Sequence, residues 1–165
     1  MNNIKASFIR NLPTIFLRAL IILLGIGVLV FMLWEPHLEG RNINSTLFQI
    51  YFNDPFLIYA YIGSIPFFVA LYQAFKLLGY IGHARIFSLE SVRALRTIRH
   101  CAIAIITFAI PPLAYLLIAR PGYDIAGGVA IGLFIIFVST IVASVSAILE
   151  RLLKSIVDIK SINRN

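Results

Sequence analysis

Charge is what this sequence has least of. Of 165 residues, 13% are charged, about half the share a water-soluble domain carries. Together with 60% hydrophobic residues and a mean hydropathy of +0.92, this shortage excludes a soluble globular fold. It excludes disorder too, because a chain stays unfolded only when its hydrophobicity is low. Cysteine is nearly absent: Cys101 stands alone, so no internal disulfide forms, and no CxxC or Cys/His cluster exists to hold a structural metal. Cys101 opens an apolar run and reads as a small apolar filler. There is no nucleophile–base constellation, Gly-rich phosphate loop or catalytic motif, so neither enzyme activity nor a cofactor is expected. Glu35-x-His37-x-Glu39 has metal-ligating residue types. However, Pro36 is expected to break regular structure there and no further ligand cluster follows, so no metal site is assigned.

What is present is a set of long apolar runs. A membrane-crossing helix needs about 20 predominantly apolar residues, and four windows supply them: about 13–34, 55–78, 100–119 and 125–149. The first has Arg18 as its only charge, close enough to one end for the guanidinium to snorkel to the headgroups. No small-x-small cleavage site follows it, since the next residues are Trp34-Glu35-Pro36, so it reads as a retained helix rather than a signal peptide. Twelve of the 14 Lys and Arg residues fall in the N-terminal segment, the loop 79–99 with its flanks, and the C-terminal tail. By the positive-inside rule these segments are cytoplasmic. The expected fold is therefore an all-α integral membrane four-helix bundle, a single membrane domain with both termini in the cytoplasm. The pI of 9.9 follows from this topology and is no argument for nucleic-acid binding.

Within the spans no Asp, Glu or Lys lies at mid-depth, which argues against an ion-coupled transporter. Ser64, Gln73, Thr107, Ser139 and Thr140 are the mild polar groups there, expected to form interhelical hydrogen bonds. Pro66 and Pro111-Pro112 are expected to kink the second and third helices. On the fourth span Gly128, Gly132, Ser139, Ala143 and Ala147 recur on one face. This is a small-residue seam suited to close helix packing, against the same chain or a second subunit.

Two segments outside the spans can carry interactions. The loop 79–99 is expected to contain a short helix from Ser88, an N-cap residue, with Glu90 in its first turn. Its Arg93, Arg96 and Arg99 suit either anionic lipid headgroups or an acidic partner. The tail, 150–160, is expected to continue the fourth helix. Leu149, Leu152, Leu153, Ile156 and Ile159 form an apolar face there, and Glu150, Lys154 and Asp158 a surface ion ladder. Leu152 and Ile156 are the residues expected to meet a partner. Candidate partners are the bilayer, a cytosolic regulator protein and a second copy of the chain.

Several stretches resemble a known bacterial family: Glu39-Gly40-Arg41, Asp54-Pro55-Phe56, FFVALYQAFKLLGYIG (67–82) and FSLESVRALRTIRHCAI (87–103). The family is the domain-of-unknown-function 2975 group of small four-span membrane proteins. The similarity covers most of the chain and is strongest from Gly40 to Ile103. The chain departs from it at the end, where Lys160-Ser161-Ile162-Asn163-Arg164-Asn165 stands in place of an acidic stretch. The family has no established activity. Its frequent gene neighbour, a small helix-turn-helix repressor, implies by analogy a membrane component that binds a cytosolic regulator. The leading expectation is thus a non-enzymatic interaction or regulatory protein, and the alternative is a small channel or transporter subunit.

Overall fold

A computed structural model describes residues 2–38, 55–82, 86–119 and 126–162, and these form four long α-helices with no strand among the described residues. They are α1 (Asn2–Leu38), α2 (Pro55–Gly82), α3 (Leu89–Ala119) and α4 (Ala126–Ile162). Each contains a window apolar enough to cross a membrane, the shortest being Pro13–Trp34 with 22 residues. At 1.5 Å per residue that window is about 33 Å long, enough for the hydrocarbon core. The all-α class expected from composition is what these residues adopt.

The helices are longer than the spans. The expected short loop helix and the third span are one continuous helix, α3, and the tail continues α4 without a break to Ile162. Pro66 lies inside α2 and Pro111-Pro112 inside α3, and neither ends its helix. The side chains of Lys5, Arg10, Glu35 and His37, like Glu39-Gly40-Arg41, Asp54, Arg120 and Asp124, lie outside what the structure describes.

Contacts divide the chain into two units, Met1–Ile65 and Pro66–Asn165. In the first, one hydrogen bond answers one proline. In a helix the carbonyl of residue 32 accepts from the N–H of residue 36, but Pro36 has none. The Tyr61 hydroxyl of α2 donates to the Met32 carbonyl at 3.1 Å instead. The residue type predicts a break in regular structure at Pro36; α1 in fact runs through it to Leu38. A proline this near the end of a helix removes a single bond, and Tyr61 replaces it. Along the rest of α1 the large apolar side chains of Phe16, Leu23, Phe31 and Trp34 are exposed, as lipid-facing residues of a spanning helix are.

The second unit is built on an antiparallel hairpin of α3 and α4. The least exposed positions of α4 are Val129, Gly132, Ile136, Ser139, Ala143, Ser146, Glu150, Leu153 and Val157, joined only by Ala147. Their steps alternate between three and four residues. On α3 a matching series runs Ser91, Leu95, Ile98, Ala102, Ile105, Ala109, Pro112 and Leu116. This 3.5-residue period is the signature of two helices coiled about each other. Register is set by close contacts along the pair. A methyl group added to Gly128 would stand 3.1 Å from Leu116 Cδ1, and one added to Gly132 would stand 3.2 Å from Leu113 Cδ1. At the far end Leu153 joins Val92 and Leu95 in a small core, against which Leu77 and Ile86 pack.

The small-residue seam of α4 thus meets α3 of the same chain, with a changed membership. Gly132, Ser139 and Ala143 belong to the seam; Gly128 and Ala147 flank it, and Ser146 and Glu150 extend it. Repeated four-residue steps drift around a helix, whereas alternating threes and fours follow a coiled partner. The polar side chains differ from expectation too. Ser64 donates to Tyr61 O at 2.7 Å, Thr107 to Ile103 O at 3.0 Å and Thr140 to Ile136 O at 2.8 Å, all within their own helices. A short hydroxyl reaches its own preceding turn without any help from a neighbouring helix.

Candidate functional site

The polar chemistry of the second unit collects at the basic end of the hairpin. α3 is started there by a cap. Ser88 Oγ accepts from the Ser91 N–H at 3.3 Å, and Ser88 O takes the first backbone bond, from Val92 N–H, at 3.3 Å. Ser91 is fully buried, with its hydroxyl 3.3 Å from that of Ser88. The cap fixes where the helical phase begins, and so which α3 residues turn toward α4.

Further along α3, Arg96 and Arg99 lean across to α4 and meet on Glu150. Arg96 Nε–H donates to Oε1 at 2.8 Å. Arg99 Nη1 stands 2.9 Å from Oε2, an ion pair without hydrogen-bond alignment. Glu150 is only 6% exposed, while the side chains of Arg96 and Arg99 are 51% and 29% exposed. One carboxylate is therefore desolvated between two cations that keep part of their hydration. A buried charge with this pairing is tolerated, and one without it is strongly unfavourable.

Glu150 and Arg99 are also the first charges beyond the apolar runs 125–149 and 100–119. The cluster therefore sits where the apolar part of the hairpin ends, and it ties the two helices at that level. Beyond it α4 continues for 12 residues to Ile162.

The expected surface ladder of Glu150, Lys154 and Asp158 does not form. Glu150 turns into the hairpin, and Lys154 and Asp158 are exposed with no ion pair among the described residues. The reason is energetic. Spacing alone suits i, i+4 pairs worth a few tenths of a kcal/mol, but two guanidinium groups across the hairpin offer Glu150 more. Spacing within α4 does not reveal this pairing, although a signal for it is present: Glu150 falls on the same three-four series as Ser139, Ser146 and Leu153.

The tail's apolar face is split for the same reason. Leu153 is buried against α3, whereas Leu149, Leu152, Ile156 and Ile159 form a second line that stays exposed. Of the residues expected to meet a partner, the structure brings Arg96 and Arg99 together on Glu150. It leaves Arg93, Leu152 and Ile156 exposed. Cys101 is half-buried on α3. Among the described residues no three His, Cys, Asp or Glu side chains gather where they could hold a metal ion.

The family described as "Protein of unknown function (DUF2975)" matches residues 44–163. An "Uncharacterized membrane protein YoaS" of Bacillus subtilis (strain 168) is 41% identical over 158 residues, covering 93% of this chain and 97% of that protein. No solved structure matches significantly.

Proposed function

This chain belongs to the DUF2975 family and is a membrane protein, and from that premise we propose that it is a non-enzymatic interaction or regulatory protein of the bacterial inner membrane. In this reading both termini and the loop 79–99 face the cytoplasm, by the asymmetry of Lys and Arg. Its task is to hold a cytosolic regulator against the membrane.

One observation carries the proposal. Past Glu150, α4 presents Leu152, Ile156 and Ile159 on an exposed line, beyond the end of its apolar run. Apolar side chains at three-four spacing on a rigid helix are the form in which a partner helix is received. Lys154 and Arg151 stand exposed on the same stretch of α4 and suit a partner of acidic surface. The Arg96–Glu150–Arg99 cluster ties α4 to α3 just before this stretch. The reading of a channel or transporter subunit draws no support from the α3–α4 seam, where Leu113 and Leu116 close onto Gly132 and Gly128.

The test is site-specific photocrosslinking from position 156 in living cells. The expected product joins the chain to a soluble protein, and Leu152→Glu abolishes it. Leu152 is 57% exposed, so that change leaves the melting temperature of the purified protein in place. Crosslinks to lipid or to the same chain alone would overturn the reading. So would a C-terminal reporter fusion active only outside the cytoplasm.

A further inference from the structure

The face of α3 turned away from α4 changes character along its length. From the end of the helix toward its start, Ile110, Thr107 and Ile103 are exposed, followed by His100, Arg96 and Arg93, also exposed. These positions are spaced by threes and fours, so their Cα atoms lie on one line opposite the residues that pack on α4, and from it the long Arg96 side chain reaches back around α3 to Glu150. The line is apolar wherever the hairpin is apolar, and it becomes cationic at the level of the Glu150 cluster. A phospholipid changes in the same order, from acyl chain to phosphate.

Positive charge outnumbers negative at this end of the hairpin. Arg93, Arg96 and Arg99 stand against the carboxylates of Glu150 and of Glu90, three residues before Arg93. Three positive charges against two negative leave a net charge of +1. Arg93 makes no ion pair among the described residues, and the side chain of Arg96 is half exposed while it holds Glu150. His100 is fixed beside them, its Nδ1 bonded at 2.8 Å to the Arg96 carbonyl, so the ring is held in one orientation. Along the helix, Arg93 to His100 covers about 10 Å, comparable to the depth of a headgroup layer.

We propose that this line binds one anionic phospholipid, its acyl chains along Ile103 and Ile110 and its phosphate at Arg93 and Arg96. The recognised chemistry is a phosphate monoanion carried on an apolar tail. The tail distinguishes it from free phosphate, and the negative headgroup distinguishes it from a zwitterionic lipid. The site lies on α3, so it stands or falls separately from the partner reading, which uses Leu152 and Ile156 of α4.

The experiment titrates the detergent-solubilised full chain with phosphatidylglycerol or phosphatidylcholine and counts bound lipid by native mass spectrometry. Phosphatidylglycerol is expected to bind at least about fivefold more tightly, and Arg93→Gln to remove about fivefold, the factor for about 1 kcal/mol per arginine near an anionic surface. Arg93→Lys restores most of that loss, and Arg151→Gln, on α4, leaves binding unchanged. Inorganic phosphate does not displace the lipid. Equal affinity for the two lipids overturns the proposal. Equal losses in Arg93→Gln and Arg151→Gln also overturn it, since they indicate diffuse surface charge. Displacement by inorganic phosphate overturns it as well, since the site is then a plain anion site.

Discussion

Replacing Glu150 with glutamine preserves the size and shape of the side chain and removes its charge. The structure sets the size of the effect. Losing one member of a fully buried ion pair costs about 3–5 kcal/mol, mostly because the surviving charge is left uncompensated. Here the survivors differ. Arg96 is half exposed and recovers hydration, so its share is small, about 0–1 kcal/mol. Arg99 is 29% exposed and retains most of the penalty. The expected loss for Glu150→Gln is therefore about 2–3 kcal/mol. For a chain of this length that corresponds to a fall of about 5–10 °C in melting temperature. Thermal melting of the purified protein, followed by far-ultraviolet circular dichroism in one fixed detergent, is the assay. Arg99→Gln should cost more than Arg96→Gln, and adding either to Glu150→Gln should cost little more, because the cluster has already lost its anion. A fall of less than about 1 °C for Glu150→Gln would refute the reasoning, as would an Arg96→Gln loss exceeding that of Arg99→Gln.

Two further changes probe the packing of each unit. Gly132→Ile places a branched side chain where a single methyl would already stand 3.2 Å from Leu113 Cδ1; a loss of about 1–3 kcal/mol is expected from overpacking. Gly127→Ala, with nothing within 4 Å, is the control: it meets no neighbour and should leave stability unchanged or raise it by up to about 1 kcal/mol through helix propensity, and both are read by the same melts. Tyr61→Phe removes the donor to the Met32 carbonyl and should cost about 0.6–2 kcal/mol, the range for hydrogen bonds between membrane helices. Pro36→Ala restores an N–H to that carbonyl, so the cost of Tyr61→Phe should shrink in the Pro36→Ala background. An unchanged cost would show that Tyr61 does not serve that carbonyl.

Much of this molecule is legible in its amino-acid sequence. Whether a segment can cross a membrane depends on the length and polarity of a continuous run, and both are local properties. The four apolar windows therefore reappear as four helices, and Ser88 caps α3 as its residue type and position imply. The small residues of α4 are readable as a seam, because a four-residue repeat around a helix needs no knowledge of a partner, whereas the three-four phase that decides its membership follows from the packing on α3.

What the tertiary structure decided was which groups meet. Glu150, Lys154 and Asp158 have the spacing of a surface ladder, and nothing within α4 argues otherwise. Only the antiparallel register of α3 against α4, visible in the contacts of Leu116 with Gly128 and of Val92 with Leu153, brings Arg96 and Arg99 to Glu150. The same register buries Leu153 and leaves Leu152 and Ile156 exposed, dividing an apolar face that looks continuous in the sequence. Likewise Pro36 marks a missing donor in the sequence, but that Tyr61 replaces it depends on how α2 lies against α1. Hydrophobicity acts on each residue separately and survives translation into sequence rules. Charge pairing and hydrogen bonding act between residues distant in the chain, so their outcome belongs to the fold.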